Sequence, residues 1–133
     1  DRAGLAAPVP LAVTVLTSLS EEELREEVGC ARSATAQVIA LARLAREVGL
    51  DGVVASVLEA AAIKEACGPD FLVITPGIRP ARADDDQRRV ATPAAAARAG
   101  ADFLVVGRPI TQAENPLAAC EAIQAEIRGT ANG

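Results

Sequence analysis

Three times the sequence runs from a glycine through one residue to an aspartate and then into a short apolar run: Gly49-Leu-Asp-Gly-Val-Val54, Gly68-Pro-Asp-Phe-Leu-Val-Ile74 and Gly100-Ala-Asp-Phe-Leu-Val-Val106. Each copy follows a segment with helical character. The pattern therefore predicts a helix stopped by glycine at its C′ position, a tight loop, and a strand buried on both faces. A fourth apolar run, Leu11 to Leu16, comes first. Strands that alternate with helices in this way favour a parallel α/β sheet or barrel built of four βα units.

Capping residues indicate where several helices begin. Ser20 precedes three glutamates, which places negative charge at the positive end of a helix dipole. Ser33 precedes a longer segment whose apolar residues recur at helical spacing. Thr92-Pro93 and Asn115-Pro116 each place proline in a first helical turn. We therefore expect helices to begin at these four positions.

Composition limits the classes of protein to which the chain can belong. Its 133 residues are enough for one domain or part of one, half of them are apolar, and only 2% are aromatic. The net charge is −5, so the sequence indicates neither a nucleic-acid groove nor a surface for anionic membranes. The sequence contains no histidine, which excludes catalytic triads and zinc sites built on histidine.

The three cysteines, Cys30, Cys67 and Cys120, form neither a disulfide framework nor a zinc ligand set. We expect them to be small core residues, and a reducing, cytoplasmic location is favoured. No apolar stretch reaches the roughly 18–20 residues of a membrane span, and no signal peptide is evident. The chain does not begin with methionine, which fits an excerpt or a processed product.

One connection is longer than the others. The aspartates of the repeat are 19 residues apart between Asp51 and Asp70 but 32 apart between Asp70 and Asp102. The surplus lies in Pro76 to Ala91, and a loop of this length is typical of a lid or binding loop, or of a tolerated surface insertion. Within it, Asp84 to Asp86 are interpreted as solvated charge rather than a Mg²⁺ site, because successive side chains on a loop diverge.

Ligands of parallel α/β folds bind at the carboxyl ends of the strands. The residues predicted there are small, hydroxylated, glycyl or arginine: Thr17, Ser18, Ser56, Thr75, Pro76, Gly77, Arg79, Gly107 and Arg108. Such residues can hold an anion with backbone N–H groups and a guanidinium fork. In Gly107-Arg108-Pro109 the glycine lets a phosphate approach the backbone and the arginine can bind it bidentately. A turn with a solvated arginine is the alternative.

Two further positions have specific expectations. Arg79 lies close to a strand end and is placed to reach the same anion, and the Gln87 amide can bind an anion and a polar ring at once. Lys64, the single lysine, lies mid-helix beside Glu59 and Glu65. There a solvent-facing ion pair is the ordinary expectation.

Five segments have the order and similar spacing of motifs in bacterial orotidine 5′-phosphate decarboxylases: Leu11–Ser18, Gly49–Val54, Val73–Pro80, Asp86–Val90 and Val106–Thr111. The chain resembles that family over nearly its whole length. The family fold is a (β/α)8 TIM barrel, and the chain resembles only its second half, strands five to eight. The resemblance implies that residues 1–133 are a C-terminal half-barrel with a phosphate-binding site, and that loop 76–91 is a lid.

The resemblance also implies roles for individual residues. Gly107 and Arg108 would hold the 5′-phosphate of the nucleotide, and Arg79 and Gln87 would close over it. Thr17, with neighbouring Ser18, would face the pyrimidine; Ser56 and Pro76 are further candidates at the strand ends. The family converts orotidine 5′-phosphate to UMP and CO2 in pyrimidine biosynthesis, uses no metal or organic cofactor, and forms homodimers.

The sequence departs from the family pattern in two ways. Leu58 stands where relatives usually have glutamine, which puts a polar role there in doubt. No segment matches the Lys–Asp network that protonates the carbanion, which in the family lies in the first half of the barrel. The fragment alone is therefore expected to be inactive. Two alternatives remain at this point: a sugar-phosphate lyase or synthase of the related barrel superfamily, and a non-catalytic phosphate-binding half-barrel.

Overall fold

The computed structural model describes residues 7–80 and 91–130, which form four strands and six helices. The strands are β1 (Leu11–Val13), β2 (Gly52–Val54), β3 (Leu72–Thr75) and β4 (Phe103–Leu104). The helices are α1 (Glu21–Glu26), α2 (Ala34–Glu47), α3 (Val57–Cys67), α4 (Pro93–Arg98), α5 (Arg108–Thr111) and α6 (Pro116–Thr130). No helix in these two ranges combines the length and the apolar character that a membrane crossing requires.

The four strands form one parallel sheet in the order β1-β2-β3-β4, so each strand pairs with the next one along the chain. Val13 pairs with Val54, Val54 with Ile74, and Ile74 with Phe103. Helices α1 to α4 lie between consecutive strands in the chain, as parallel crossovers require, and α5 and α6 follow β4. The predicted series of four parallel βα units is confirmed.

The predicted helix starts are also confirmed, because each depends on a local hydrogen bond. The hydroxyl of Ser20 accepts the backbone N–H of Glu23 at 3.2 Å, and the Glu23 carboxylate accepts the N–H of Ser20 at 2.7 Å, which makes a complete capping box. Ser33, Thr92 and Asn115 accept N–H groups of the first turns of α2, α4 and α6 in the same way.

Glycine ends three of the helices in the left-handed region. Gly49, Gly68 and Gly100 have φ angles of 84°, 93° and 90°. Gly49 and Gly100 lie one residue beyond the helix cap, as predicted, whereas Gly68 is itself the C-cap of α3. At Gly68 the prediction was therefore one residue off, because α3 continues through Cys67.

The core lies between the helices and one face of the sheet. Its buried members come from α2, α3 and the two central strands: Val38, Ala42, Ala45, Val53, Ala55, Ala60, Ile63, Cys67, Phe71 and Val73. Alternation along the strands places Val53, Phe71 and Val73 on this helix-facing side. The predicted core role of the cysteines is confirmed for Cys67, whereas Cys30 and Cys120 are only partly buried.

The opposite face of the sheet, which we call the concave face, carries exposed apolar side chains. Val13 on β1 is 59% exposed and Phe103 on β4 is 58% exposed. The prediction of strands buried on both faces holds for β2 and β3 but is wrong for β1 and β4. Edge strands have a neighbour on one side only, and nothing within residues 7–80 and 91–130 covers this face at the edges.

Lys64 has a different partner from the one that its position in the helix suggests. Its ammonium group pairs with Asp102 at 2.7 Å, not with Glu59 or Glu65. It also donates a hydrogen bond to the backbone carbonyl of Pro69 at 2.8 Å. The ion pair therefore joins α3 to the start of β4, and the lysine side chain is only 18% exposed rather than facing solvent.

Candidate functional site

The carboxyl ends of the four strands lie along one edge of the sheet, because the strands are parallel. Thr17 and Ser18 follow β1, Ser56 follows β2, Pro76 to Arg79 follow β3, and Gly107 and Arg108 follow β4. The sheet order makes the β3 and β4 groups neighbours. Adjacent strands are about 4.8 Å apart, so the β1 group lies about 14 Å along the sheet from the β4 group.

Gly107 and Arg108 form the turn between β4 and α5. The carbonyl of Gly107 accepts the N–H groups of Ile110 and Thr111, at 2.9 and 3.1 Å, and Arg108 begins the short helix. A Cβ placed on Gly107 would meet no atom within 4 Å. The backbone at Gly107 is therefore open on that side, and the exposed Arg108 side chain makes no ion pair with a carboxylate of the described residues.

The turn after β3 separates a buried residue from an exposed one. Gly77 has a φ of 78°, a conformation that favours glycine. The next side chain, Ile78, is buried, and the one after it, Arg79, is exposed. The backbone N–H of Arg79 donates to the carbonyl of Ala91 at 3.0 Å, so the two ends of the long connection are joined at its base.

Some predicted features fall outside the described residues. Gln87 and the acidic run Asp84 to Asp86 both lie between residues 80 and 91, as does most of the predicted lid 76–91. Their roles therefore stay predictions. Of the lid, the structure describes only Pro76 to Pro80 and Ala91.

The turn after β1 exposes two hydroxyl groups. The backbone N–H of Leu19 donates to the carbonyl of Leu16 at 3.0 Å, and Thr17 and Ser18 occupy the exposed positions between them. Thr14 secures the strand end, because its hydroxyl donates to the carbonyl of Val54 at 2.9 Å. The Thr17 and Ser18 hydroxyls are thus presented at the same edge as the arginines, on the far side of β2 and β3.

Ser56 has a structural task as well as a place at the strand ends. Its hydroxyl accepts the N–H of Leu58 at 3.2 Å and so caps α3. A hydroxyl can still donate to a ligand while it accepts that bond. The neighbouring Leu58 is 87% exposed and contributes no polar group to the edge.

Two polar groups near this edge are buried, which the sequence did not predict for either, although Thr75 was predicted to lie at this edge. The Glu59 carboxylate is buried, 7% exposed, and accepts the hydroxyl of Thr35 on α2 at 3.2 Å. The hydroxyl of Thr75, at the end of β3, is fully buried with no hydrogen-bond partner among the described residues. Glu59 lies three residues after the cap of α3, where a glutamate usually bonds to the backbone of its own helix. The sequence near Glu59 therefore does not predict that it bonds to Thr35 of α2 instead.

Among the described residues, the two titratable groups with displaced pKa values lie away from this edge. Burial raises the pKa of the Cys67 thiol, and the charges of Arg46 and Arg43 oppose that shift. The backbone and side-chain hydrogen bonds of Ser20 lower the pKa of Glu23. The chemistry that the described residues offer at the strand ends is anion binding by N–H groups and guanidinium groups.

The amino-acid sequence matches the model of the Orotidine 5′-phosphate decarboxylase / HUMPS family over residues 6–123. The chain belongs to this family. It is 63% identical over 122 residues to the orotidine 5′-phosphate decarboxylase of Moorella thermoacetica, a match that covers 91% of this chain and 48% of that protein. It is 58% identical over 118 residues to the enzyme of Geobacter sulfurreducens, with 88% and 49% covered.

The fold agrees with this membership in the orotidine 5′-phosphate decarboxylase family. The crystal structure of the Lactobacillus acidophilus orotidine 5′-phosphate decarboxylase superposes with a TM-score of 0.79 and 46% identity, covering 94% of this chain and 51% of that one. The chain spans about half the length of the curated relatives that it matches. Four parallel βα units are thus part of a TIM barrel, which confirms the predicted fold class.

Proposed function

We propose that this chain is the substrate-gripping half of an orotidine 5′-phosphate decarboxylase, the carboxy-lyase that converts orotidine 5′-phosphate to UMP and CO2 in pyrimidine biosynthesis. The observation that carries the proposal is the position of Arg79 and Arg108. Both side chains are exposed. Arg79 follows the carboxyl end of β3 and Arg108 follows that of β4, and these two strands are hydrogen-bonded to each other. The names of the relatives favour this activity over the sugar-phosphate lyase alternative.

In this proposal the phosphate of the nucleotide lies against the open backbone of Gly107. The Arg108 guanidinium binds it bidentately and Arg79 adds a second positive charge from the neighbouring strand. Gln87 closes over the ligand as part of the lid 76–91. Each charge-assisted hydrogen bond of this kind contributes about 1.5–3 kcal/mol to binding.

The pyrimidine would lie at the other end of the strand-end edge. The exposed hydroxyls of Thr17 and Ser18 are placed to bind its polar edge, with Ser56 and Pro76 between them and the phosphate site. These roles are supported by the resemblance to the family and by the exposure of Thr17 and Ser18. The ligand is a small nucleotide, and the proposal needs no metal or organic cofactor.

The chemical step needs groups that this chain does not supply. We infer that the Lys–Asp network belongs to a first half of the barrel, and that residues 1–133 are the second half. Binding energy from the remote phosphate then stabilises the transition state at the pyrimidine, which is where that energy accelerates the reaction. The 133-residue polypeptide alone is therefore expected to bind nucleotide but not to release CO2.

The assembly and location of the intact protein are part of the proposal. We infer a homodimer from the resemblance to the family, in which the active sites lie near the subunit interface. We infer a cytoplasmic location because Cys30, Cys67 and Cys120 are all free thiols, which suits a reducing compartment.

The proposal is tested by calorimetric titration of the purified chain with UMP, 6-azauridine 5′-phosphate and ribose 5-phosphate. We expect the nucleotides to bind more tightly than the sugar phosphate. Arg108→Ala should weaken UMP binding by about tenfold or more, since a bidentate charged contact is lost. Arg98→Ala, which removes an exposed arginine from the last turn of α4, is the matched control and should bind UMP like the parent.

Two results would refute the proposal. Equal binding of UMP by Arg108→Ala and the parent would remove Arg108 from the phosphate site. Turnover of orotidine 5′-phosphate by the chain alone, purified free of host enzyme, would show that the proton donor is within these residues.

A further inference from the structure

A side chain holds the amino end of β4 against β3. Asp102 donates its backbone N–H to the carbonyl of Val73 at 2.9 Å, and its carboxylate oxygen Oδ2 accepts the N–H of the same residue at 2.7 Å. In the register that pairs Ile74 with Phe103, Val73 lies opposite Asp102, so both of these bonds join residues that face each other. The backbone and the side chain of Asp102 thus both bond to Val73 at the point where β4 begins.

The carboxylate is itself fixed by Lys64. The same oxygen of Asp102 accepts a hydrogen bond from Lys64 Nζ at 2.7 Å, and Nζ also donates to the carbonyl of Pro69 at 2.8 Å. The methylene stem of Lys64 lies beside Gly100, where an added Cβ would be 3.4 Å from its Cγ. The side chains of Lys64 and Asp102 are 18% and 30% exposed, so water and salt screen this pair less than a fully exposed one. We call Asp102, Lys64 and the Val73 N–H the β4 clasp.

Apolar packing does little to hold β4 in register. The strand is only two residues long, and Phe103 and Val105 on its concave side are 58% and 52% exposed. Its other edge has no strand neighbour among the described residues. A slip of one residue would exchange the two faces of the strand, and little buried apolar area opposes such a slip. The polar β4 clasp is thus the main register-specific contact at the amino end of β4.

The register of β4 determines how the two strand-end arginines are placed. At the carboxyl end of the pairing, the N–H of Val105 donates to the carbonyl of Thr75 at 2.9 Å. The chain reaches Arg79 four residues after Thr75 and Arg108 three residues after Val105. A shift between the strands therefore changes the separation of the arginines, and two guanidinium groups can share one phosphate only within a narrow range of separations.

We propose that Asp102, held by Lys64, is a positioning residue that sets the register of β4 against β3 and so places Arg108 beside Arg79. The part of this inference that concerns ligand binding rests on the proposed function. The part that concerns the register of β4 does not. The positioning role lies at the amino ends of the strands, opposite the edge that carries the candidate binding residues.

The register is tested by hydrogen exchange of individual backbone amides, measured by NMR. Asp102→Ala removes the carboxylate, and we expect the Val105 amide to exchange about tenfold faster relative to the Ala55 amide, the effect of one lost charged hydrogen bond. The Ala55 amide, which bonds to Ile74 between β2 and β3, corrects for any loss of global stability. Lys64→Met, which keeps the methylene stem, should give a smaller change in the same direction.

The matched control is Glu23→Ala. It also removes a carboxylate that accepts a backbone N–H at 2.7 Å, but in the capping box of α1. The ratio of Val105 to Ala55 exchange should stay at the parent's value in this variant. Asp102→Asn keeps an oxygen that can accept the Val73 N–H, so we expect it to restore part of the protection that Asp102→Ala loses.

The effect on the ligand is measured as the preference for UMP over uridine, which isolates the contribution of the phosphate. Asp102→Ala should lower this preference about tenfold, whereas Glu23→Ala should leave it unchanged. A general loss of folded protein would weaken both ligands alike. If the parent itself shows no preference for UMP, the proposed function is wrong. The hydrogen-exchange measurement still tests whether the β4 clasp sets the register. An unchanged exchange ratio in Asp102→Ala, or an unchanged preference when the parent has one, overturns the positioning role.

Discussion

Gly52 shows how closely two strands approach each other in this sheet. A Cβ built at Gly52 would lie 2.3 Å from the carbonyl oxygen of Leu72 and 2.5 Å from its Cβ. Alanine therefore cannot fit unless β2 moves away from β3. We expect Gly52→Ala to lower the free energy of unfolding by about 3 kcal/mol, the upper part of the usual range for overpacking, as measured by urea denaturation.

Gly129 provides the control for that substitution. It lies near the end of α6, where an added Cβ meets no atom within 4 Å. Gly129→Ala should therefore leave stability unchanged or raise it by at most about 1 kcal/mol, since alanine favours the helix. If the two variants unfold at the same urea concentration, the close approach at Gly52 does not exist in solution.

The Cys67 thiol should make stability fall at alkaline pH. Burial raises its pKa in the folded state, so the unfolded chain loses the thiol proton at a lower pH than the folded chain does. The unfolded state then binds fewer protons, and the free energy of unfolding decreases as pH rises through the interval between the two pKa values. Urea denaturation at several alkaline pH values should show that the free energy of unfolding falls more steeply with pH in the parent than in Cys67→Ala. Parallel curves would contradict the prediction.

At the scale of elements, the capping box of α1 should respond to acid. The hydrogen bonds of Ser20 lower the pKa of Glu23, so this carboxylate contributes to stability above its ordinary pKa. The contribution is lost as pH falls through the lowered folded-state value, because the unfolded state takes up the proton first. As the pH is lowered, circular dichroism should show a smaller loss of helix in Glu23→Gln than in the parent. Glutamine keeps the hydrogen bond but does not titrate. An identical acid response in both proteins would refute this assignment.

The elements that could be predicted from the sequence are those fixed by local contacts. Ser20, Ser33, Thr92 and Asn115 each accept the backbone N–H of the residue three positions later, so a short stretch of sequence is enough to predict the helix start. The alternation of strands and helices along the chain predicts the parallel sheet, because a helix between two strands lets the second strand run in the same direction as the first. The Lys64–Asp102 pair spans 38 residues of sequence, and only the sheet order brings its two members together.

The candidate site divides in the same way. The position of Arg79 and Arg108 at one edge follows from the rule that parallel strands end on the same side, and both arginines were therefore predictable. The bond between Glu59 and Thr35 joins two helices, and its formation depends on how α2 and α3 pack. Sequence periodicity predicts that helices pack on a sheet but not which polar groups meet between them.

At the scale of the whole molecule, the exposure of the concave face is related to the length of the chain. In a closed TIM barrel this face is the packed interior. Here Val13 and Phe103, on the two edge strands, are more than half exposed. The proposed half-barrel would leave these side chains open, and the chain covers only about half the length of its relatives. The same side chains should therefore change from surface to core residues when the other half is joined.

That change can be measured with one substitution in two contexts. Phe103→Ala should lower the free energy of unfolding of the 133-residue chain by less than about 1 kcal/mol, because an exposed side chain loses little contact. In a fusion of this chain to the first half of the Moorella thermoacetica enzyme, the same substitution should cost about 3–5 kcal/mol, as expected for a buried phenylalanine. Ile63, buried in the helix-facing core, provides the control, because Ile63→Ala should cost the same in both proteins. An equal, small effect of Phe103→Ala in both contexts would mean that the first half does not pack on the concave face, and the half-barrel proposal would be wrong.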